Sequence, residues 1–349
     1  MKASHTKYTL DFIRPGGTSR GVLTKKETWF ILLQDGEAWG IGECGLFRGL
    51  SADDRPGFEN RLDWACQNVH RGLESLREDL AEWPSLVFGL EQAFRSLRAP
   101  FPLHLFDSPF LKGEPIPING LIWMGDPEFM EAQIREKIAS GYRCLKLKIG
   151  ALDFTTELNL LSRIRHKFQP DELEIRVDAN GAFAPGEALD KLGQLAALEL
   201  HSIEQPIRQD QWDDMARICR ESPLPVALDE ELIGHFSTAE RSRLLDAIRP
   251  EYIILKPSLL GGYAACEEWI GLAGERGIGW WATSALESNI GLNAIAQWTA
   301  TQKTEMPQGL GTGSLFSNNF DSPLETAEGQ LWYRAGKDWN IPLLKSICT

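Results

Sequence analysis

The sequence predicts an α/β protein in which a parallel barrel of eight strands and intervening helices follows an antiparallel α+β unit. Three observations carry that prediction. Strand candidates begin near Ile116, Cys144, Glu174, Leu200, Val226, Tyr252, Gly279 and Gln308, with successive starts 26 to 30 residues apart, the length of one strand and one helix. Most intervals hold apolar residues at helical spacing, over 127–139, 155–165, 185–197 and 263–276. The first 110 or so residues read differently, as hairpin strands and then helices.

Taken in order, Tyr8 to Ile13, Thr28 to Leu33 and Ala38 to Gly42 read as strands of a meander. The last two are joined by Asp35 and Gly36, a two-residue hairpin signal. The segment from Arg14 to Gly21, with Pro15, Gly16 and Gly17, is too long and glycine-rich for a tight turn and predicts a mobile loop. From Asp53 to Leu80 and from Ser85 to Leu97 the pattern is helical, as at Leu62, Cys66 and Val69, or Leu86, Leu90 and Phe94. Pro100, Pro102, Pro109, Pro115 and Pro117 mark a boundary. After the last barrel strand no eighth helix is evident, and Gly329 to Tyr333 reads as a further strand returning to the N-terminal unit. The expected division is a unit over 1–112, completed by 322–349, and a barrel over 113–321.

Composition narrows the function. A net charge of −13, from 49 acids against 36 bases, argues against nucleic acid or an anionic membrane as partner. A small acidic substrate remains compatible if a metal and a few lysines reverse the sign locally. Cys44, Cys66, Cys144, Cys219, Cys266 and Cys348 show no Cys-x-x-Cys spacing and read as isolated thiols in a reducing compartment. The N-terminus enters a strand without an apolar signal region, and no apolar run approaches a membrane span, which predicts a cytoplasmic protein. Nothing in the sequence sets an oligomeric state. Phosphate-loop, His-Glu-x-x-His and Gly-x-Ser-x-Gly patterns are absent, and Gly309 to Gly313 lacks the helix and acidic residue of a dinucleotide site.

The chemistry lies at the strand ends, where a parallel barrel places its active site. Lys146 and Lys148 stand at i and i+2 between leucines and so share one face of strand two. Strand three ends at Asp178, strand four at Glu204, strand five at Asp229 and strand six at Lys256. Any one of these has a structural explanation, as a helix cap or a solvated lysine. Five strands in succession do not share one, because burying such charges unpaired costs several kcal/mol each, about 3 to 5 by analogy with broken buried pairs. Three neighbouring carboxylates form an oxygen cage suited to Mg²⁺, whereas zinc favours His or Cys. Lysines beside such a cage can take a proton next to a carboxylate.

The order Lys-x-Lys, Asp, Glu, Asp-Glu, Lys on strands two to six resembles the muconate-lactonizing subgroup of the enolase superfamily. The resemblance spans nearly the whole chain and implies an α+β capping domain over a modified (β/α)7β TIM barrel. It implies Asp178, Glu204 and Asp229 as Mg²⁺ ligands, with Mn²⁺ as a substitute, Lys148 as the base, Lys146 tuning it, and Lys256 on the opposite side of the substrate. Asn180 and Glu230 fall where partners of the ligands are expected, although a turn residue and a helix cap describe them equally well. Around Thr283 to Gly291 and Gly309 to Asn319, beside Arg176, the chain is similar to the o-succinylbenzoate synthase family of menaquinone synthesis. Arg176, Ser284, Gly309 and Gly311 are then expected at the substrate, and Gly16 to Thr24 as a lid. A serine cap and tight glycine turns would explain the last two segments without function. Two readings stand beside the synthase: an N-acylamino acid racemase or cycloisomerase of the same subgroup, and a barrel that binds a metabolite without turning it over.

Overall fold

The computed structural model describes residues 1–18, 21–302 and 304–347. Ser19 and Arg20, at the tip of the expected loop, and Cys348 lie outside the described residues. The chain opens with an antiparallel sheet of β1 (Lys2–Thr18), β2 (Gly21–Asp35) and β3 (Ala38–Cys44), in that order. The first hairpin runs beyond the expected strand ends. Its register shifts between Asp11 and Gly16 and then resumes, with Gly16 opposite Leu23 and Gly17 opposite Val22. The segment read as a mobile loop is therefore largely paired strand, and tertiary contact overrides its poor β-propensity.

Helices α1 (Phe58–Gln67), α2 (Leu73–Asp79) and α3 (Pro84–Arg98) cover one face of this sheet. The single helix expected from Asp53 to Leu80 is broken after Gln67, where Asn68 and then Gly72, at φ 84°, leave helical geometry. Trp29, Ile31, Leu33, Leu62, Leu86 and Leu90 form the core between sheet and helices. β3 and α3 approach so closely that a Cβ on Gly42 would lie 1.9 Å from the Gly89 carbonyl oxygen, which only glycine permits.

Beyond Pro100 come β4 (Ile116–Pro117), β5 (Gly120–Ile122), α4 (Pro127–Ala139), β6 (Cys144–Lys148), α5 (Phe154–Lys167), β7 (Glu174–Asp178), α6 (Pro185–Ala196), β8 (Ser202–Glu204) and α7 (Trp212–Glu221). They are followed by β9 (Val226–Leu228), α8 (Thr238–Ile248), β10 (Tyr252–Leu255), α9 (Pro257–Leu260), α10 (Gly262–Gly274), β11 (Gly279–Ala282) and α11 (Asn289–Thr301). The strands β5 to β11 form one parallel sheet in sequence order. The eighth position is a two-residue splice. Gln308 bridges in parallel to Ile118 and Gly309 to Thr283, so the chain closes the sheet into a barrel between its first and last strands. The α/β fold is thus a (β/α)7β barrel with a separate antiparallel unit.

The tail contributes β12 (Leu324–Ala327), β13 (Gln330–Tyr333) and α12 (Ile341–Ser346). β13 pairs with β4 and not with the N-terminal sheet, which corrects the strand's expected partner. The tail reaches that sheet through side chains instead: Trp339 and Leu344 pack with Phe30 and Ile41.

Candidate active site

Parallel register stacks the barrel's inward side chains in layers. Lys148 is opposite Asp178, and Asp178 opposite Glu204, so these three share the layer at the carboxyl ends of the strands. Arg176 is opposite Lys146 and Ser202, one layer deeper. Barrel strands two and six, which carry Lys148 and Lys256, are four positions apart in eight and face each other across the mouth.

The charges interlock. Lys146 Nζ lies 2.9 Å from Asp178 Oδ2 and also pairs with Glu204. Lys148 Nζ donates to Asp178 Oδ2 at 2.5 Å and to Asn180 Oδ1 at 2.8 Å. Lys256 pairs with Asp229. Asn180 sits at φ 45°, a conformation asparagine tolerates, and its Nδ2 donates to Glu230 Oε1 at 2.9 Å. Asn180 thus links Lys148 at the cavity to Glu230.

Burial disfavours the Lys146 ammonium, yet Asp178, Glu204 and Asp229 outweigh it and hold the proton on above the ordinary lysine range. Lys256 is raised in the same way, burial being overcome by Asp229, Glu204 and Glu230. Burial also opposes ionisation of Asp178, but Lys146 and Lys148 pull it well below the usual carboxylate range. Glu204 moves the other way: burial first, then the Asp178 charge, push it well up.

Among the described residues no three carboxylate, imidazole or thiol side chains are gathered as one ion's ligands; ammonium groups stand against the three acids. The donors nevertheless fit a hard divalent cation. They are buried carboxylates on consecutive strands, and Glu204 Oε1 has no hydrogen-bond partner. A cation there would relieve the repulsion that raises Glu204.

Above these charges lies a cavity of about 100 Å³, lined by Lys146, Lys148, Asn180, Lys256, Ser284, Gly309 and Gly311. Leu23 and Phe47 from the N-terminal unit and Trp123 from the end of β5 cover its apolar side. A Cβ on Gly309 would lie 2.4 Å from Thr283 Oγ1, so that position must be glycine. Ser284 lines the cavity, but its hydroxyl is committed: Oγ donates to Glu287 Oε2 at 2.6 Å and accepts from Thr312 Oγ1 at 2.9 Å. Ser284 is thus a wall of the cavity whose hydroxyl ties Glu287 to Thr312.

The place expected for Arg176 is corrected. It is 2% exposed, donates to Glu174 Oε1 at 2.6 Å and to the Pro307 carbonyl at 2.9 Å, and stacks on Trp281 at 4.2 Å. It plugs the barrel below the site.

Sequence reasoning missed Gln205, whose Oε1 accepts from the backbone N–H of Asp229 and fixes that acid's strand end. It also missed Asn119, a buried amide beside the cavity. A polar residue between an apolar one and the glycine that opens β5, as in Ile118-Asn119-Gly120, was the available signal.

Residues 130–336 match the family described as enolase C-terminal domain-like. The chain is 50% identical to the o-succinylbenzoate synthase of Desulfotalea psychrophila over 95% of its own length and 98% of that protein's. The crystal structure of MenC from the same organism superposes with a TM-score of 0.85 at 46% identity, covering 95% of this chain and 99% of that one. Muconate lactonizing enzyme from Pseudomonas fluorescens, complexed with muconolactone, gives a TM-score of 0.81 at 20% identity over 100% and 98% of the two chains, a likeness of fold. The chain belongs to the enolase superfamily, in the o-succinylbenzoate synthase family.

Proposed function

We infer that this enzyme is a carbon–oxygen lyase that dehydrates 2-succinyl-6-hydroxy-2,4-cyclohexadiene-1-carboxylate to o-succinylbenzoate, in menaquinone synthesis in the cytoplasm. The observation that carries the reading is two lysines facing each other across a mouth floored by three buried carboxylates, in a chain half identical to a protein of that name. Asp178, Glu204 and Asp229 would hold Mg²⁺, with Mn²⁺ as substitute, and the bound ion would supply positive charge to the substrate's reacting carboxylate. Lys148 takes the proton from the ring carbon bearing that carboxylate. The electron pair left behind expels the hydroxyl from the neighbouring carbon, and the same lysine returns its proton to the departing oxygen as water. A syn elimination needs only that one face. Lys256, held charged by Asp229, steadies the developing negative charge from the other wall and faces the ring as it becomes aromatic. Asn180 orients Lys148, and Lys146 neutralises the acids beneath it.

The partner is a small carboxylate. Among the described residues no helix is long and apolar enough to cross a membrane. The test is turnover of the cyclohexadiene with Mg²⁺, run beside α-proton exchange of an N-succinylamino acid in D₂O. Dehydration is expected. If the protein instead racemises the amino acid rapidly and leaves the cyclohexadiene intact, the racemase reading replaces this one.

A further inference from the structure

A second cavity, of about 260 Å³, adjoins the first. The two meet along Asn119, Leu121, Trp123 and Gly311, and the second continues past Trp123 toward Ile13, Arg14 and Pro15 of the N-terminal hairpin and Gln133, Glu136 and Lys137 of α4. It contains no member of the lysine and carboxylate machinery. Its charged lining is two cations, Arg14 and Lys137, against the single acid Glu136, a local excess of positive charge on a chain whose net charge is −13. Lys137 is steadied over the Tyr142 ring at 5.1 Å. Trp123, which borders both cavities, is clamped through its backbone by Gln133: its amide N–H donates to Gln133 Oε1 at 2.9 Å, and its carbonyl accepts from Gln133 Nε2 at 3.0 Å. At the junction, Asn119 is 4% exposed and its Oδ1 has no hydrogen-bond partner. A buried amide left with an unused end is costly unless something else completes it, and rotation can present either its N–H or its oxygen.

We propose that the second cavity is the seat of the substrate's distal carboxylate, with the Asn119 amide turned so that its N–H donates to the keto oxygen between ring and tail, and Arg14 and Lys137 holding the terminal anion. This rests on the synthase reading, whose substrate carries two carboxylates: one on the ring, and one at the end of a flexible chain attached through a ketone. The order of groups along the molecule matches the order of residues along the two cavities. The ring lies at Lys148 and Lys256, the ketone at Asn119, and the tail beyond Trp123. Selection then comes from outside the reacting centre: a ligand without an anion several bonds away leaves Arg14 and Lys137 unused.

The test uses the full-length Mg²⁺-loaded enzyme with o-succinylbenzoate and with 2-butyrylbenzoate, which keeps the ring carboxylate and ketone but lacks the terminal one. Calorimetry on the native protein is expected to show o-succinylbenzoate binding more tightly. The variants Arg14→Gln and Lys137→Gln should each weaken o-succinylbenzoate by about tenfold while leaving 2-butyrylbenzoate unchanged. In turnover the loss should fall on KM rather than kcat. Unchanged affinity in both variants, or equal losses for both ligands, overturns the inference and leaves the synthase reading standing if the cyclohexadiene is still dehydrated. A native enzyme that neither binds o-succinylbenzoate nor forms it overturns both.

Discussion

Glu204 is the residue where burial and charge are least reconciled: it is 2% exposed, repelled by Asp178, and left with an unpartnered oxygen. Glu204→Gln replaces that acid by a neutral amide of the same shape. Calorimetric Mg²⁺ affinity should therefore fall by about tenfold or more, while the metal-free protein unfolds at the same temperature as the native or higher. Undiminished binding in Glu204→Gln and in Asp178→Ala would remove the ligand assignment. For the lysines, replacing the base in Lys148→Ala should cost about 10²- to 10⁴-fold in kcat. Lys256→Arg keeps the charge but changes its geometry, and should also slow turnover strongly. Residue types at strand ends were legible because side chains alternate across a strand, so Lys146, Lys148 and Asp178 could be assigned to one face in advance. Depth was legible by the same rule but was not applied to Arg176: it shares a face with Asp178 but stands two residues before the strand end, and so lies one layer lower, against Trp281. Ser284 was placed at the cavity from its polarity, while the Thr312 hydroxyl that donates to it comes from 28 residues away and was not legible.

Among elements, the first hairpin departs most from its local propensities. Gly16 lies against the Trp123 ring, and a Cβ on Gly17 would come within 2.5 Å of the Met124 carbonyl oxygen. The two glycines that predicted looseness are thus what allows the strand to lie flat on the barrel's first mouth segment. Gly17→Val should lift the hairpin, admit water to the site and lower kcat/KM by about tenfold with little change in melting temperature. Limited proteolysis with and without o-succinylbenzoate checks the lid role, and equal cleavage in both states would count against it. α3 supports a pH prediction. Burial pushes the Glu91 carboxyl up to about 7, against the pull of the Tyr263 N–H and of Arg77 and Arg95. The folded protein therefore keeps a proton that the unfolded chain releases near its ordinary 4.5. The resulting stabilisation is full below that pH and is lost as pH rises through about 7, an upper limit of about 3 kcal/mol. Denaturant titrations between pH 5 and 8 should show a shallower decline in Glu91→Gln than in the native enzyme.

At the scale of the whole molecule, the barrel was legible because its strand and helix units repeat at nearly constant length. The same interval placed the closing strand at Gln308, where the chain does bridge to Ile118 and Thr283; what the interval could not give was its length, only Gln308 and Gly309. The partner of β13 was missed because pairing is a long-range choice: Leu331 and Ile116, which meet in the sheet, are separated by the entire barrel.

Two of the barrel's helices begin on acids from the N-terminal unit. Glu43 of β3 accepts from the backbone N–H groups of Ser288 and Gly291 and from the Ser288 hydroxyl at the start of α11, and Glu91 of α3 accepts from the Tyr263 N–H at the start of α10. Helix starts leave donors unsatisfied unless an acceptor arrives, and here it arrives from another part of the chain. This limits how recombination could trade pieces among relatives. A barrel transplanted beneath a foreign N-terminal unit would carry its lysines and carboxylates intact yet lose two capping acids unless that unit also offers glutamates at both positions. In a library of such chimaeras, soluble expression should follow the presence of that pair more closely than overall identity to either parent.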